Sequence, residues 1–205
     1  MSKVAYTDEE RGQIRENLIA AGLELFVKQG IQHTTVEQIY QRVGISRTFF
    51  YSFFPAKEDL VVQAFYRQQP QMLAYAQKLM DTPGLSWREG LGQFFHNICY
   101  NGQNRFAIMS VEEQQSLSRC LSGENRRTFQ ERRLEFFSEL LQIFGIRAET
   151  QTVMLLGNLA FSAAILRKAI PDTLPFLFTE AADELVTFQI NALIDYMETL
   201  RGEPN

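Results

Sequence analysis

Residues 34–60, TTVEQIYQRVGISRTFFYSFFPAKEDL, decide how this chain folds. Thr34 or Thr35 can cap a helix there, because Glu37 and Gln38 follow them at the three-residue spacing of a capping box. Four apolar side chains then recur at helical spacing and form one face: Val36, Ile39, Tyr40 and Val43. The pattern therefore predicts a short amphipathic helix.

A second short helix is predicted over residues 46–53, after a turn at Gly44, where positive φ is favoured. Ser46 is a good N-cap residue, and Pro55 cannot continue the helix. Two phenylalanines four residues apart are expected to face a small core: Phe50 and Phe54. Two helices joined by a glycine turn form a helix-turn-helix, whose second helix can enter the major groove of DNA.

Polar and aromatic side chains of this motif are candidate DNA contacts. Arg47 can read guanine O6 and N7 or hold a phosphate, and Phe49 can touch thymine methyl groups. The Tyr51 hydroxyl has the reach of a phosphate contact. Lys57 opens the next helix, where free N–H groups favour a phosphate. The predicted DNA-binding residues are Thr34, Thr35, Ser46, Arg47, Thr48, Phe49, Tyr51, Ser52 and Lys57.

The run GISRTFFY at residues 44–51, followed by Phe54 and by KEDL at residues 57–60, resembles the TetR/AcrR family of one-component regulators. The family pattern there is close to G-V-S-[KR]-x-[ST]-[LF]-Y-x-[HY]-F-x-x-K-x-x-L. The resemblance covers about residues 8–67. It implies a dimeric, effector-responsive repressor that binds a double-stranded operator.

Three positions depart from the family pattern. Phe49 replaces a small hydroxyl residue, Phe53 replaces His or Tyr, and Tyr40 lies where a small residue is common. The first two obscure the operator sequence, and the third implies that the two helices pack differently in detail. The alternative interpretation, three amphipathic helices of an ordinary all-α core, does not explain the joint match at the caps, the turn, Tyr51 and Lys57.

The charge distribution agrees with a local DNA-binding face. The 205 residues carry a net charge of −4, which argues against a generic nucleic-acid binder. Residues 1–67 hold 8 basic and 8 acidic residues, whereas residues 68–205 hold 12 and 16. A local positive face on an acidic protein is sufficient for site-directed binding by a dimer.

Every other segment has helical spacing, and none alternates with a period of two, so the predicted fold is all-α with about nine helices. A three-helix DNA-binding domain is predicted over residues 1–67, with its motif at about 35–54, and an effector-binding and dimerisation domain over 68–205. The further helices are expected at about 7–30, 58–80, 86–100, 106–121, 125–144, 150–168 and 176–200. Pro70 is expected to kink or end the second of these.

The last two predicted helices, at about 150–168 and 176–200, are apolar on most sides. A helix of that kind must be covered all round. Burial against a second copy in a four-helix bundle explains the pattern, and burial in the monomer core is the alternative. The resemblance favours the homodimer, because the family pairs through its last two long helices.

The middle helices are rich in aromatic residues that can line a cavity for an apolar or aromatic effector. The predicted lining is Trp87, Phe94, Phe95, His96, Tyr100, Phe137, Asn158 and Phe161. Asn97 and Gln114 are further candidates for polar contacts. Most of the aromatic residues are also compatible with an ordinary core.

Neither a catalytic motif nor a cofactor motif is evident, so the chain is not expected to be an enzyme. His96 and Cys99 have the spacing of metal ligands, but two donors are a weak signal, and a packing role is preferred. No apolar run approaches the ~20 residues of a membrane span, and no signal peptide is evident, so a cytoplasmic location is expected. The competing interpretations are a small-molecule sensor or carrier without operator-specific DNA binding, and an enzyme with a site at His96 and Cys99.

Overall fold

The computed structural model describes residues 6–100, 106–170 and 178–202, the side chains of Ala169 and Thr179 excepted. Within these ranges the backbone forms nine α-helices, one 3-10 helix at Thr179–Ala181 and an isolated antiparallel bridge between Ile146 and Arg201. The all-α prediction is confirmed. The α-helices are α1 (Asp8–Gln29), α2 (Val36–Val43), α3 (Arg47–Tyr51), α4 (Lys57–Met80), α5 (Trp87–Tyr100), α6 (Val111–Cys120), α7 (Gly123–Ile143), α8 (Thr150–Ala169) and α9 (Ala182–Thr199).

The chain divides into two compact units, Met1–Gln68 and Gln69–Asn205, and α4 begins in the first and ends in the second. In the first unit, each helix and the segment between α3 and α4 contribute a side chain that is almost completely buried. These side chains are Leu18, Ile39, Phe50, Phe54 and Leu60. Gly22 of α1 lets α4 approach closely, because a Cβ at this position would lie 2.5 Å from Cδ2 of Leu60.

Capping residues set the ends of the first helices. The Thr7 hydroxyl accepts a hydrogen bond from the N–H of Glu10, and the Glu10 carboxylate accepts one from the N–H of Thr7. Thr35, rather than Thr34, is the N-cap of α2 and forms the same reciprocal pair with Gln38. Gly44 then adopts a left-handed conformation with φ of 77°, which favours glycine because it lacks a Cβ.

Some predicted helix limits in the second unit were wrong. Helix α6 begins at Val111 rather than at 106, because Ser110 and Glu113 form a capping box. Ser122 caps the start of α7, which begins at Gly123 rather than at 125. The last helix is α9, which begins at Ala182, and the predicted start at 176 lies outside the described residues. Pro70 lies inside α4 and does not end it.

The second unit is built round one hydrophobic core to which α4, α5, α7, α8 and α9 all contribute. Its most deeply buried members are Ala76, Leu91, Phe94, Phe144, Ile146, Val186, Ile194 and Met197. At the edge of this core, Arg88 of α5 forms ion pairs with Asp195 and with Glu198 of α9, the second at 3.1 Å. Nowhere in the described parts of the chain is a helix both long and apolar enough to cross a membrane.

Candidate nucleic-acid interface

A serine caps each end of helix α3. The Ser46 hydroxyl accepts the N–H of Phe49 at 3.2 Å and begins the helix. Ser52 ends it, since its N–H donates to the carbonyl of Phe49 and tightens the last turn, while its hydroxyl donates to the same oxygen at 2.7 Å. The helix therefore spans only Arg47–Tyr51, shorter than the predicted 46–53.

One side of α3 is exposed, and the other anchors it. Phe50 is 0% exposed and packs against Phe54, with their ring centroids 5.8 Å apart. Tyr51 is 40% exposed beside it, with the ring edge-on to Phe50 at 5.3 Å, and the Arg47 guanidinium lies 5.8 Å from the centre of the Tyr51 ring. We call the exposed residues the α3 face. The α3 face consists of Ser46, Arg47, Thr48, Tyr51 and Ser52.

Phe49 does not belong to this face. Its half-buried ring stacks on Tyr6, with centroids 4.9 Å apart, and meets the edge of Phe53 at 5.0 Å. The Arg11 guanidinium lies 5.5 Å from the Phe49 ring centre and 4.8 Å from that of Phe53. The side chain therefore joins α3 to the start of α1, a role that the sequence pattern did not reveal for Tyr6 and Arg11.

Two other predicted contacts have structural partners. Thr34 is 1% exposed and donates its hydroxyl hydrogen to the Gly30 carbonyl at 2.8 Å, so it is out of reach of DNA. The Lys57 ammonium donates to the Ile31 carbonyl and thereby ties the start of α4 to the loop after α1. Thr35 is exposed at the start of α2, where its hydroxyl also serves as the cap.

The two arginines of the helix-turn-helix differ in whether they form an ion pair. Arg42 of α2 forms an ion pair with Glu24 of α1, so its positive charge is largely neutralised. In the described part of the chain, no carboxylate forms an ion pair with Arg47. Partial desolvation, followed by the nearby Glu37 carboxylate, raises the pKa of Tyr40, whose hydroxyl donates to that carboxylate at 3.3 Å. Arg47 is therefore the positive charge of the α3 face.

The residues predicted to line an effector pocket are used mainly for packing. Phe94 and Phe95 are buried in the core, and the Phe94 ring meets that of Phe144 at 5.2 Å. The Trp87 indole N–H donates to the Phe144 carbonyl at 2.8 Å, and the Arg201 guanidinium covers the Trp87 ring at 4.5 Å. These contacts leave the three aromatic residues as parts of a packed interior.

The other predicted lining residues are also dispersed. His96 is exposed and stacks on Tyr100 at 4.8 Å, and the Tyr100 hydroxyl donates to the Asp183 carbonyl at 2.9 Å. Asn158 is exposed on α8. Phe137 packs against Gly157 and Phe161 lies 5.7 Å from the guanidinium of Arg133. The eight residues do not surround one cavity in the described structure.

A cleft of about 540 Å³ lies instead between α6 and α8, and we call it the α6–α8 cleft. It is lined by Val111, Gln114, Gln115, Ser118, Arg119 and Ile165. Of these, only Gln114 is among the polar contacts that the sequence suggested. The signal that could have located the cleft is the capping box at Ser110, which fixes the start and the register of α6.

His96 and Cys99 do not form a metal or redox centre in the described structure. Burial raises the pKa of the Cys99 thiol to about 11, against the opposing effect of Arg167. A thiol with a raised pKa is a poor nucleophile and a poor metal ligand. Among the described residues, no group of three or more His, Cys, Asp or Glu residues is placed to hold a metal ion.

The family model described as "Bacterial regulatory proteins, tetR family" matches residues 18–64, which contain most of α1, the helix-turn-helix and the start of α4. This part of the chain is therefore similar to the corresponding region of that family. The chain is 26% identical over 147 residues to the uncharacterized HTH-type transcriptional regulator YuxN of Bacillus subtilis. That alignment covers 67% of this chain and 48% of YuxN, so it spans about half the length of the relative.

The fold is that of solved TetR-family regulators. A TetR-family transcriptional regulator from Pectobacterium atrosepticum matches with a TM-score of 0.62 and 17% identity, over 98% of this chain and 100% of that one. RolR in complex with the ligand resorcinol matches with a TM-score of 0.51 and 14% identity, over 97% of this chain and 100% of that one. At such identities these likenesses show a common fold.

Proposed function

We propose that the protein is a DNA-binding transcriptional regulator whose α3 face enters the major groove of an operator. The observation that carries the proposal is the exposed polar side of α3, with the unpaired Arg47 beside Tyr51 and the buried Phe50 behind them. Anchoring by Phe50 fixes the helix, so the opposite side can be presented to base edges. The family match supports the same assignment.

Each residue of the α3 face has a proposed role. Arg47 donates to guanine O6 and N7 or to a phosphate, and the Tyr51 hydroxyl binds a phosphate. Thr48, Ser46 and Ser52 are small and let the helix approach the base edges. Thr35 at the start of α2 contacts the backbone. Lys57 keeps its structural contact with Ile31 and adds positive charge close to the DNA phosphates.

We further propose that two protomers pair through α8 and α9. Large apolar side chains stay exposed on these helices, and they recur at helical spacing, so that each helix presents one apolar side. They are Met154, Leu155, Leu159, Leu185, Phe188 and Tyr196. Phe188 is 70% exposed, and covering one such ring contributes about 1.5–3 kcal/mol. A second copy in a four-helix bundle covers both sides at once and presents two α3 helices about 34–36 Å apart, or an equivalent spacing on a longer operator.

The proposed mode of action is repression that a small apolar or aromatic effector relieves. RolR, which shares the fold, binds the aromatic ligand resorcinol, and this supports an aromatic effector. Helix α4 begins in the first unit and ends in the second, so it can transmit a change between them. An effector that prefers one orientation of α4 lowers operator affinity by the free energy of that preference.

Selection of bound fragments from the protein's own genome tests this function, with candidate effectors present or absent. We expect a recurring, two-fold symmetric site, two protomers per duplex, and affinity whose logarithm falls linearly with the logarithm of salt concentration. Recovery of unrelated fragments would contradict the proposal. It would favour a helical small-molecule carrier without operator-specific binding. Turnover of a substrate would favour an enzyme.

A further inference from the structure

Gln114 of the α6–α8 cleft holds a buried amide nitrogen, Nε2, that has no hydrogen-bond partner among the described residues. Nearly all buried polar groups are paired, because a buried donor without an acceptor costs free energy. This nitrogen exposes almost no surface, although Gln114 as a whole is only half-buried. A turn of the Gln114 side chain towards the cleft would therefore bring the amide N–H to an oxygen atom of a molecule seated there.

The rest of the lining is rich in hydrogen-bond donors. The guanidinium of Arg119 only donates, and Ser118 and Gln115 can donate, whereas none of the described lining residues carries a carboxylate. The acid of α6 that is closest to Gln114 in the chain, Glu113, is 8% exposed and forms an ion pair with Lys168 of α8 at 3.4 Å. The cleft therefore favours a ligand with acceptor oxygens and a negative charge.

Contacts at both ends of α6 fix the position of this helix and therefore the shape of the cleft. At one end, the Lys168 ammonium donates to the Ile108 carbonyl at 2.6 Å, beside its ion pair with Glu113. At the other end, the Arg126 guanidinium donates to the Ser118 carbonyl at 2.6 Å. Because α6 is fixed before any ligand arrives, little ordering cost opposes binding.

Apolar side chains complete the cleft. Val111 of α6 and Ile165 of α8 both line it and offer a surface for a hydrocarbon body. The volume of about 540 Å³ lies within the range of small-molecule sites. A ligand that places one end on Gln114 and Arg119 and the other on Val111 and Ile165 uses each kind of lining.

We propose that the α6–α8 cleft binds an organic monocarboxylate with an apolar body, whose carboxylate accepts hydrogen bonds from Gln114 Nε2 and Arg119. This deepens the proposed function by naming the effector class and its site, and it rests on that function for its regulatory meaning. Carboxylate binding itself does not depend on whether the protein binds DNA.

Isothermal titration of the full chain tests the site, with octanoate and 4-phenylbutyrate as probes and their primary amides as matched neutral compounds. We expect at least one acid to bind one-to-one, and its amide to bind about tenfold or more weakly, since charge-assisted hydrogen bonds are lost. Arg119→Gln and Gln114→Met should each weaken binding about tenfold or more. Arg127→Gln is the control, because Arg127 is an exposed arginine of α7 outside the cleft, and it should bind as the parent does.

Three results would overturn the assignment: no binding of either acid, equal binding of acids and amides, or unchanged affinity in both cleft variants. Operator binding without ligand, measured on the same variants, separates this inference from the proposed function. Specific DNA binding without carboxylate binding would support the proposed regulatory function and contradict the proposed carboxylate site. If carboxylate binding requires Arg119 but the protein prefers no DNA duplex, the proposed carboxylate site is supported and the proposed regulatory function is contradicted.

Discussion

Arg47 and Tyr51 share the exposed side of α3, yet we expect them to act differently on DNA. Arg47→Ala should cost about 1–3 kcal/mol at one base position and relax the preference there, because a paired contact to a guanine is lost. Tyr51→Ala should weaken binding to all sequences alike, because a phosphate carries no sequence information. Fluorescence anisotropy with the selected operator and its single-base variants distinguishes these effects.

Arg127→Ala is the control there, because it removes an exposed arginine of α7 in the other unit. The control should bind every duplex as the parent does. Loss of affinity without any change of base preference in Arg47→Ala would contradict the role in base reading. An unchanged affinity in Tyr51→Ala would remove the phosphate contact.

The two cysteines should react very differently with thiol reagents. The pKa of Cys99 is raised to about 11 by burial, so roughly one thiol in a thousand is ionised at pH 8. Because a raised pKa moves ionisation to higher pH, labelling of Cys99 should increase about tenfold per pH unit up to that value. Cys120 is exposed and should label first.

Mass spectrometry of the native protein after a short exposure to iodoacetamide measures the ratio, and the unfolded protein provides the control in which both cysteines label. Equal labelling in the native state at pH 8 would contradict the buried environment of Cys99. Rapid labelling of Cys99 alone would instead indicate a sensor cysteine.

The difference between Thr34 and Thr35 shows what the sequence can decide at the residue scale. Both threonines fit the cap pattern, and both were predicted DNA contacts. The structure buries Thr34 against Gly30 and leaves Thr35 exposed as the cap. That choice depends on where the chain leaves α1 at Gly30, with φ of 83°, and a local spacing rule does not contain this information.

At the scale of elements, the turn between α2 and α3 depends on Gly44. Gly44→Ala should lower the free energy of unfolding by about 1–2 kcal/mol, because φ of 77° is unfavourable for a residue with a Cβ. Gly12→Ala is the matched control: no atom lies within 4 Å of its added Cβ, so it should be neutral or stabilising by up to about 1 kcal/mol. Urea denaturation followed by circular dichroism measures both.

A Gly44→Ala variant as stable as its parent would mean that the turn does not need the left-handed conformation. Operator binding is a second readout of the same change. We expect it to weaken in Gly44→Ala, because the turn sets the angle at which α3 is presented, and to persist in Gly12→Ala.

Helix limits were predictable wherever a cap could be recognised. A capping box at Thr34 or Thr35 was predicted, and α2 begins directly after Thr35. The equivalent pair at Ser110 and Glu113 was overlooked, and α6 was therefore placed five residues too early. At Pro70 the rule for proline suggested a kink or an end, and the helix does not end there, because α4 continues to Met80.

For the whole molecule, the exposed side of α9 should determine whether the protein is a dimer. Phe188→Asp should yield monomers, because a carboxylate placed in an apolar interface is left without a partner. Sedimentation equilibrium measures the mass. Tyr51→Asp is the control, since it adds the same charge to an exposed aromatic position in the other unit and should remain dimeric.

If Phe188→Asp retains the mass of the parent, α9 is not the interface. Monomers in Phe188→Asp that bind the operator as tightly as the parent would show that pairing does not deliver the two α3 helices. We expect much weaker binding, because one half-site replaces two.

The pocket was the least predictable feature at this scale. The sequence showed that the middle helices are rich in aromatic residues. It did not show their contact partners, which come from distant parts of the chain. Trp87 bonds to Phe144, 57 positions away, and Tyr100 bonds to Asp183, 83 positions away. Such contacts use the predicted lining residues for packing, whereas the cleft beside α6 is lined by both polar and apolar residues.

The most direct test of the central claim is a competition titration of the purified protein between its selected operator and a shuffled duplex of the same composition, at one salt concentration. If α3 reads the major groove in pairs, the operator should bind at least about 1,000-fold more tightly, with two protomers per duplex, and Arg47→Ala should lose most of that ratio. Equal affinity for the two duplexes, or a ratio that survives in Arg47→Ala, would contradict the account.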